Sequence, residues 1–90
     1  MIKLRELLAK SPTTESSDAE SLRLAIVAEY DAISLYEQLS QKVNSEKIKS
    51  VLLDIAKEEK THVGELQALL LKVDSEQASE LKNGAEEVEK

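Results

Sequence analysis

From Leu22 to Val73 the chain reads LRLAIVAEYDAISLYEQLSQKVNSEKIKSVLLDIAKEEKTHVGELQALLLKV, and the spacing of its apolar residues decides the fold. Leu22, Ala25, Glu29, Ala32, Tyr36, Leu39 and Val43 follow one another at alternating intervals of three and four, the period of one face of an α-helix. Ser17 with Glu20 forms a capping box in front of them, so a helix is predicted over roughly Asp18 to Val43. Ile48, Leu52, Ile55, Glu59, His62, Leu66, Leu69 and Val73 repeat the alternation behind Ser45 as N-cap, predicting a second helix over roughly Glu46 to Lys72. Only Asn44 and Ser45 remain between the two, and so short a connection makes antiparallel neighbours.

Outside this hairpin the signals weaken. Residues 1–17 hold Leu4, Leu7 and Leu8 at helical spacing, then Ser11-Pro12 and a polar stretch, which reads as a short helix and a linker. Residues 74–90 offer Asp74-Ser75 as a cap, but the segment has Leu81 and Val88 as its large apolar residues and is interrupted by Gly84. A short or frayed third helix is predicted there. With 90 residues, 41% apolar composition and two aromatic residues, one copy can build only a thin core. The expected architecture is therefore all-α: an antiparallel two-helix hairpin over residues 18–73 with a short C-terminal helix, completed by dimerisation.

Charge and composition remove several classes of function. A net charge of −6 and a pI near 4.8 disfavour nucleic acid, whose phosphates require clustered Lys and Arg; cations are the expected guests. Without cysteine there are no thiolate ligands, so iron–sulfur clusters, rubredoxin-type iron and Cys-zinc sites are excluded. Lys3, Arg5 and Glu6 interrupt any signal-like apolar run, and no stretch of eighteen apolar residues occurs, so no membrane span is predicted and a soluble cytoplasmic protein is expected.

Glu29, Glu59 and His62 occupy stripe positions where Leu or Ile would ordinarily pack. Glu29 lies about 15 residues before the turn, and Glu59 and His62 about 15 and 18 after it, so at about 1.5 Å per residue all three are level on facing helices. A Glu and a His three apart reach one ion from the same side of a helix, and carboxylate with imidazole suits iron, manganese or zinc. A four-helix di-iron carboxylate site takes a Glu from each of two helices and Glu-x-x-His from each of the other two. Two hairpins related by a two-fold axis supply that set. The four carboxylates would then balance the charge of two divalent ions, at about −4 against +4.

Blander readings compete with this one. Glu makes up 14 of the 90 residues, so a Glu three before the lone His arises by chance about one time in six, and the motif alone is weak. Polar residues on a stripe also specify register in helical bundles, and Tyr36 on the same face as Glu29 reads as core as readily as a neighbour of the site. Glu65, one turn past His62, and Asp31 are candidates for an outer ligand or a way in for the ion. Glu58 and the run Glu86-Glu87-Val88-Glu89 read as solvated.

The stretches LRLAIVAEYDAI (Leu22 to Ile33), LYEQ (Leu35 to Gln38), LLDIA (Leu52 to Ala56), EEKTHVGE (Glu58 to Glu65) and ELK (Glu80 to Lys82) together resemble the half-ferritin domain of encapsulated ferritins, above all the archaeal kind fused to an encapsulin shell protein. The resemblance covers about three-quarters of the chain, Leu22 to Glu87. It implies a ferroxidase that oxidises Fe2+ to Fe3+ with O2, two irons per dimer, for iron storage in an encapsulin nanocompartment. It further implies an annular decamer of five dimers, with iron ligands at Glu29, Glu59 and His62, the family's tyrosine at Tyr36, and a C-terminal helix that joins dimers. Leu35 stands where some members carry Trp, and residues 74–90 contain neither a cargo-loading peptide nor a shell domain. The single methionine, Met1, disfavours a haem held between subunits by paired Met ligands. Other di-metal chemistry, with manganese or of peroxidase type, and a non-catalytic helical interaction module are the competing functions.

Overall fold

The computed structural model describes residues 17–89 and Glu6. The short helix and linker expected over residues 1–17 lie outside them, apart from Glu6 and Ser17. Residues 17–89 form three helices and no strand: α1 (Asp18–Ser40), α2 (Glu46–Val73) and α3 (Ser75–Val88). Each starts at a side-chain cap. The Ser17 hydroxyl accepts the Glu20 N–H at 3.1 Å, Ser45 accepts the Ile48 N–H at 3.2 Å, and Asp74 accepts the Gln77 N–H at 3.0 Å, so each satisfies a donor left unpaired in its helix's first turn.

Helix α1 stops three residues before the expected Val43. The Ser40 hydroxyl donates to the Glu37 carbonyl at 2.6 Å, and the chain then tightens through Gln41 N–H to Gln38 C=O at 3.1 Å and Lys42 N–H to Leu39 C=O at 3.0 Å. A serine bonded back to its own helix competes with the regular ladder, and the tightened turn satisfies carbonyls that a longer helix would otherwise use. Residues 41–45 therefore form the connection, longer than the two residues predicted but short enough to keep α1 and α2 antiparallel. α3 runs unbroken through Gly84, since one interior glycine costs a helix only about 1 kcal/mol.

The hairpin closes on Ala32, Ile33 and Ser40 of α1 and on Ala56, Val63 and Leu70 of α2, all buried. Ile33 with Ser40, and Ala56 with Val63 and Leu70, recur every seven residues, the signature of a single packed seam. The seam is offset from the stripes read from sequence: Ala56, Val63 and Leu70 each lie one residue past Ile55, His62 and Leu69, and Ile33 and Ser40 one past Ala32 and Leu39. Small and branched side chains beside the stripe fit closest against the neighbouring helix. Of the α2 stripe Ile48, Leu69 and Val73 stay about half exposed, as do Val51 beside it and, on α1, Leu35 and, somewhat less, Leu39. An apolar arc broader than one neighbour can cover leaves a second face open. Because the helices run in opposite directions, rotating the same way from the seam on each brings both uncovered strips to the same side of the hairpin. The radius of gyration is 16.2 Å, against about 12 Å for a compact domain of this length.

Gly64, exposed in mid-α2, has nothing within 4 Å of where a Cβ would sit. Gly64→Ala is expected to stabilise the hairpin by about 0.5–1 kcal/mol, read as a higher urea midpoint with unchanged slope.

Candidate metal centre

α1 carries Glu29 and α2 carries Glu59 and His62, near the middle of both helices. Ligand atoms of the three residues lie within 4.8 Å of one another. His62 Nδ1 is 3.2 Å from Glu29 Oε2 and 3.6 Å from Glu59 Oε2. The carboxylates sit on the seam side, with 23% and 19% of their side chains exposed, while the imidazole at 46% lies on the edge facing the uncovered strip. Three donors thus converge from one side, leaving the open side of the group toward the uncovered apolar face.

Their electrostatics suit a cation site. The Glu59 carboxyl is held above the ordinary glutamate range, first by a hydrogen bond with Glu29, which requires a proton between them, then by partial burial and the Glu29 charge; His62 pulls the other way. For His62, partial burial opposes protonation most strongly, yet the hydrogen bond it donates to Glu29 and the charges of Glu29, Glu59 and Glu65 together raise its pKa above the ordinary value. The same negative surroundings that favour a proton on each group would favour a cation, and binding a metal would displace such protons.

Both shifts are upward, so both groups stabilise the metal-free fold only while protonated. The His62 contribution is complete below its unfolded value of 6.5 and is lost as pH rises through the higher folded value. The urea midpoint of the metal-free protein is expected to fall as pH rises above 6.5, and His62→Gln is expected to flatten that dependence.

The other sequence candidates occupy the surroundings. Tyr36 is half-buried two turns along α1 from Glu29, while Asp31 and Glu65 are exposed; of the last two, Glu65 acts electrostatically on His62. Glu58 is exposed, as read. Two ion pairs between elements were not legible in the spacing: Lys60 with Glu37 at 3.0 Å and Arg23 with Asp74 at 3.0 Å.

A family model described as a domain of unknown function (DUF2383) matches residues 17–85. The crystal structure of the encapsulated ferritin domain from Pyrococcus furiosus is 54% identical in sequence and superposes with a TM-score of 0.79, covering 88% of this chain and 81% of that one. The chain belongs to the encapsulated-ferritin family. Its hairpin and short C-terminal helix are the half-bundle of that domain. A ferritin-like–encapsulin shell fusion protein of Pyrococcus furiosus is 56% identical over 77 residues, which are 86% of this chain and 22% of that protein. An encapsulin nanocompartment cargo protein, EncC, of Myxococcus xanthus is 36% identical over 73 residues, 81% of this chain and 56% of that protein. The chain therefore spans about a fifth of the first relative and just over half of the second. Among the described residues, no helix is long and apolar enough to cross a membrane.

Proposed function

We propose that two copies of this chain pair through the uncovered apolar strip and oxidise Fe2+ with O2 at a di-iron centre made of Glu29, Glu59 and His62 from each. The observation that carries the reading is the convergence of those three ligand groups at the border of the strip. Covering half of a Leu, Ile or Val side chain is worth roughly 1 kcal/mol. Leu35, Leu39, Ile48, Val51, Leu69 and Val73 on both copies thus offer roughly 10 kcal/mol, comparable to the cost of association.

Each chain brings one imidazole and two carboxylates. Glu59 is the candidate bridge between the irons, and Glu29 and His62 are terminal ligands. The glutamates offset the charge of the incoming ferrous ions, so proton release accompanies loading. Two ferrous ions held by the paired ligand sets would each give one electron to O2, reducing it with two protons to hydrogen peroxide, a pair of electrons that one ligand set holding one ion could not supply. Tyr36 is the neighbouring tyrosine, and Glu65, whose charge acts on His62, is the candidate entry carboxylate; Asp31, two residues past Glu29, faces away from the group. The names of the relatives support a place inside an encapsulin shell, where ferric iron leaves the centre for storage, and the family resemblance supports an annular decamer of dimers.

Anaerobic titration with Fe2+ followed by exposure to air tests the reading. Fast oxidation is expected to saturate near two irons per two chains. A non-catalytic helical module would oxidise iron no faster than buffer, and that result would end the proposal.

A further inference from the structure

We propose that Arg23 is a positioning residue that fixes the direction in which α3 leaves the hairpin, acting through a three-way joint at Asp74. One residue links α2 to α3, in an extended conformation with φ −136° and ψ 90°. α3 has 14 residues and buries none of them, so packing does little to set its angle, and a helix this short is marginal alone.

Asp74 gathers four bonds at that corner, one of them its carbonyl accepting the Ala78 N–H at 3.1 Å as the first backbone bond of α3. Its N–H donates to the Leu70 carbonyl at 2.9 Å, closing α2. Its Oδ1 accepts the Gln77 N–H at 3.0 Å, which makes the carboxylate part of the first turn of α3. Its Oδ2 accepts from Arg23 Nη1 at 3.0 Å, tying that turn to α1, 51 residues away in sequence. The carboxylate is held to α3 by one oxygen and to α1 by the other, so holding Arg23 in place holds α3. The direction matters because Leu81 and Val88 are exposed on α3, and the angle of the helix decides where they are offered to another chain.

An ion pair this exposed adds little to folding stability, so its loss is expected to alter orientation and not unfolding. The chain has no cysteine, which allows clean spin labelling. Ser34→Cys with Ser79→Cys reports the α1–α3 distance, and Ser34→Cys with Lys57→Cys the α1–α2 distance as a control. Labelled protein is diluted into unlabelled protein so that only distances within one chain are read.

Arg23→Gln and Asp74→Asn are each expected to widen the α1–α3 distribution about two-fold and to leave the control unchanged. Asn caps a helix as well as Asp, so Asp74→Asn removes the tie to α1 while keeping the cap. Arg23→Lys is expected to restore part of the narrowing, and about 1 M salt, where the screening length falls to about 3 Å, to mimic the loss in the unmodified sequence. Unchanged α1–α3 widths in both variants would overturn the proposal. Equal widening of the control would do so as well, since it would mean a general loosening of the fold.

Discussion

Glu59→Ala and His62→Ala are each expected to slow oxidation of Fe2+ by air at least about 100-fold, to the rate of iron in buffer. Removing a residue that merely supports a metal ligand typically costs 10–100-fold, and here each substitution removes a ligand twice, once from each chain of the pair. Circular dichroism should show the helices intact, because neither side chain belongs to the buried seam of Ile33, Ala56, Val63 and Leu70. The metal-free stability should move the other way in Glu59→Gln. The Glu59 carboxyl is already held in a raised state by its neighbour Glu29, so a neutral amide relieves a repulsion that grows as pH rises through the folded pKa. A variant more stable without metal and inactive with it would mark Glu59 as a residue kept for function at a cost to the fold. If iron oxidation survives both alanine substitutions, the chemistry lies elsewhere.

The second large effect concerns the strip. Leu69→Glu is expected to leave the protomer helical, since Leu69 is half exposed in a single copy, but to weaken pairing by at least about 1,000-fold. Burying an unpaired carboxylate in an apolar interface costs several kcal/mol, and about 4 kcal/mol corresponds to that factor in affinity. Sedimentation over a range of concentrations would read the loss of the dimer, and oxidation should fall with it although every ligand remains. A variant that stays dimeric and active would place the partner chain on another face.

Much of this was legible in the residues. Ser17, Ser45 and Asp74 announced three helix starts because a cap is a local hydrogen bond between a side chain and a nearby N–H. Counting outward from the turn put Glu29, Glu59 and His62 at one height because an α-helix has a fixed rise, and the structure brings these three together. The end of α1 was not legible, because the Ser40 hydroxyl's choice of the Glu37 carbonyl is a contest among local bonds of similar strength. The seam itself was misplaced by one residue: the stripe read through Ile55, His62 and Leu69 runs beside the buried Ala56, Val63 and Leu70, and since both rows fit the period, only the geometry of a neighbouring helix separates them. The continuity of α3 through Gly84 was underestimated, because a propensity penalty of about 1 kcal/mol was read as a break. The Arg23–Asp74 tie depends on the angle between α1 and the α2–α3 corner, which no periodicity encodes.

The sharing of two irons by two chains is tested most directly by Mössbauer spectroscopy of protein loaded anaerobically with 57Fe2+, one iron per chain, and then exposed to air. One chain supplies a single set of Glu29, Glu59 and His62, so two magnetically coupled ferric ions can form only where two sets meet. The account predicts that the oxidised iron appears as coupled ferric pairs that vanish in Leu69→Glu. Isolated high-spin ferric ions in the unmodified protein, one on each chain with no coupling between them, would contradict it.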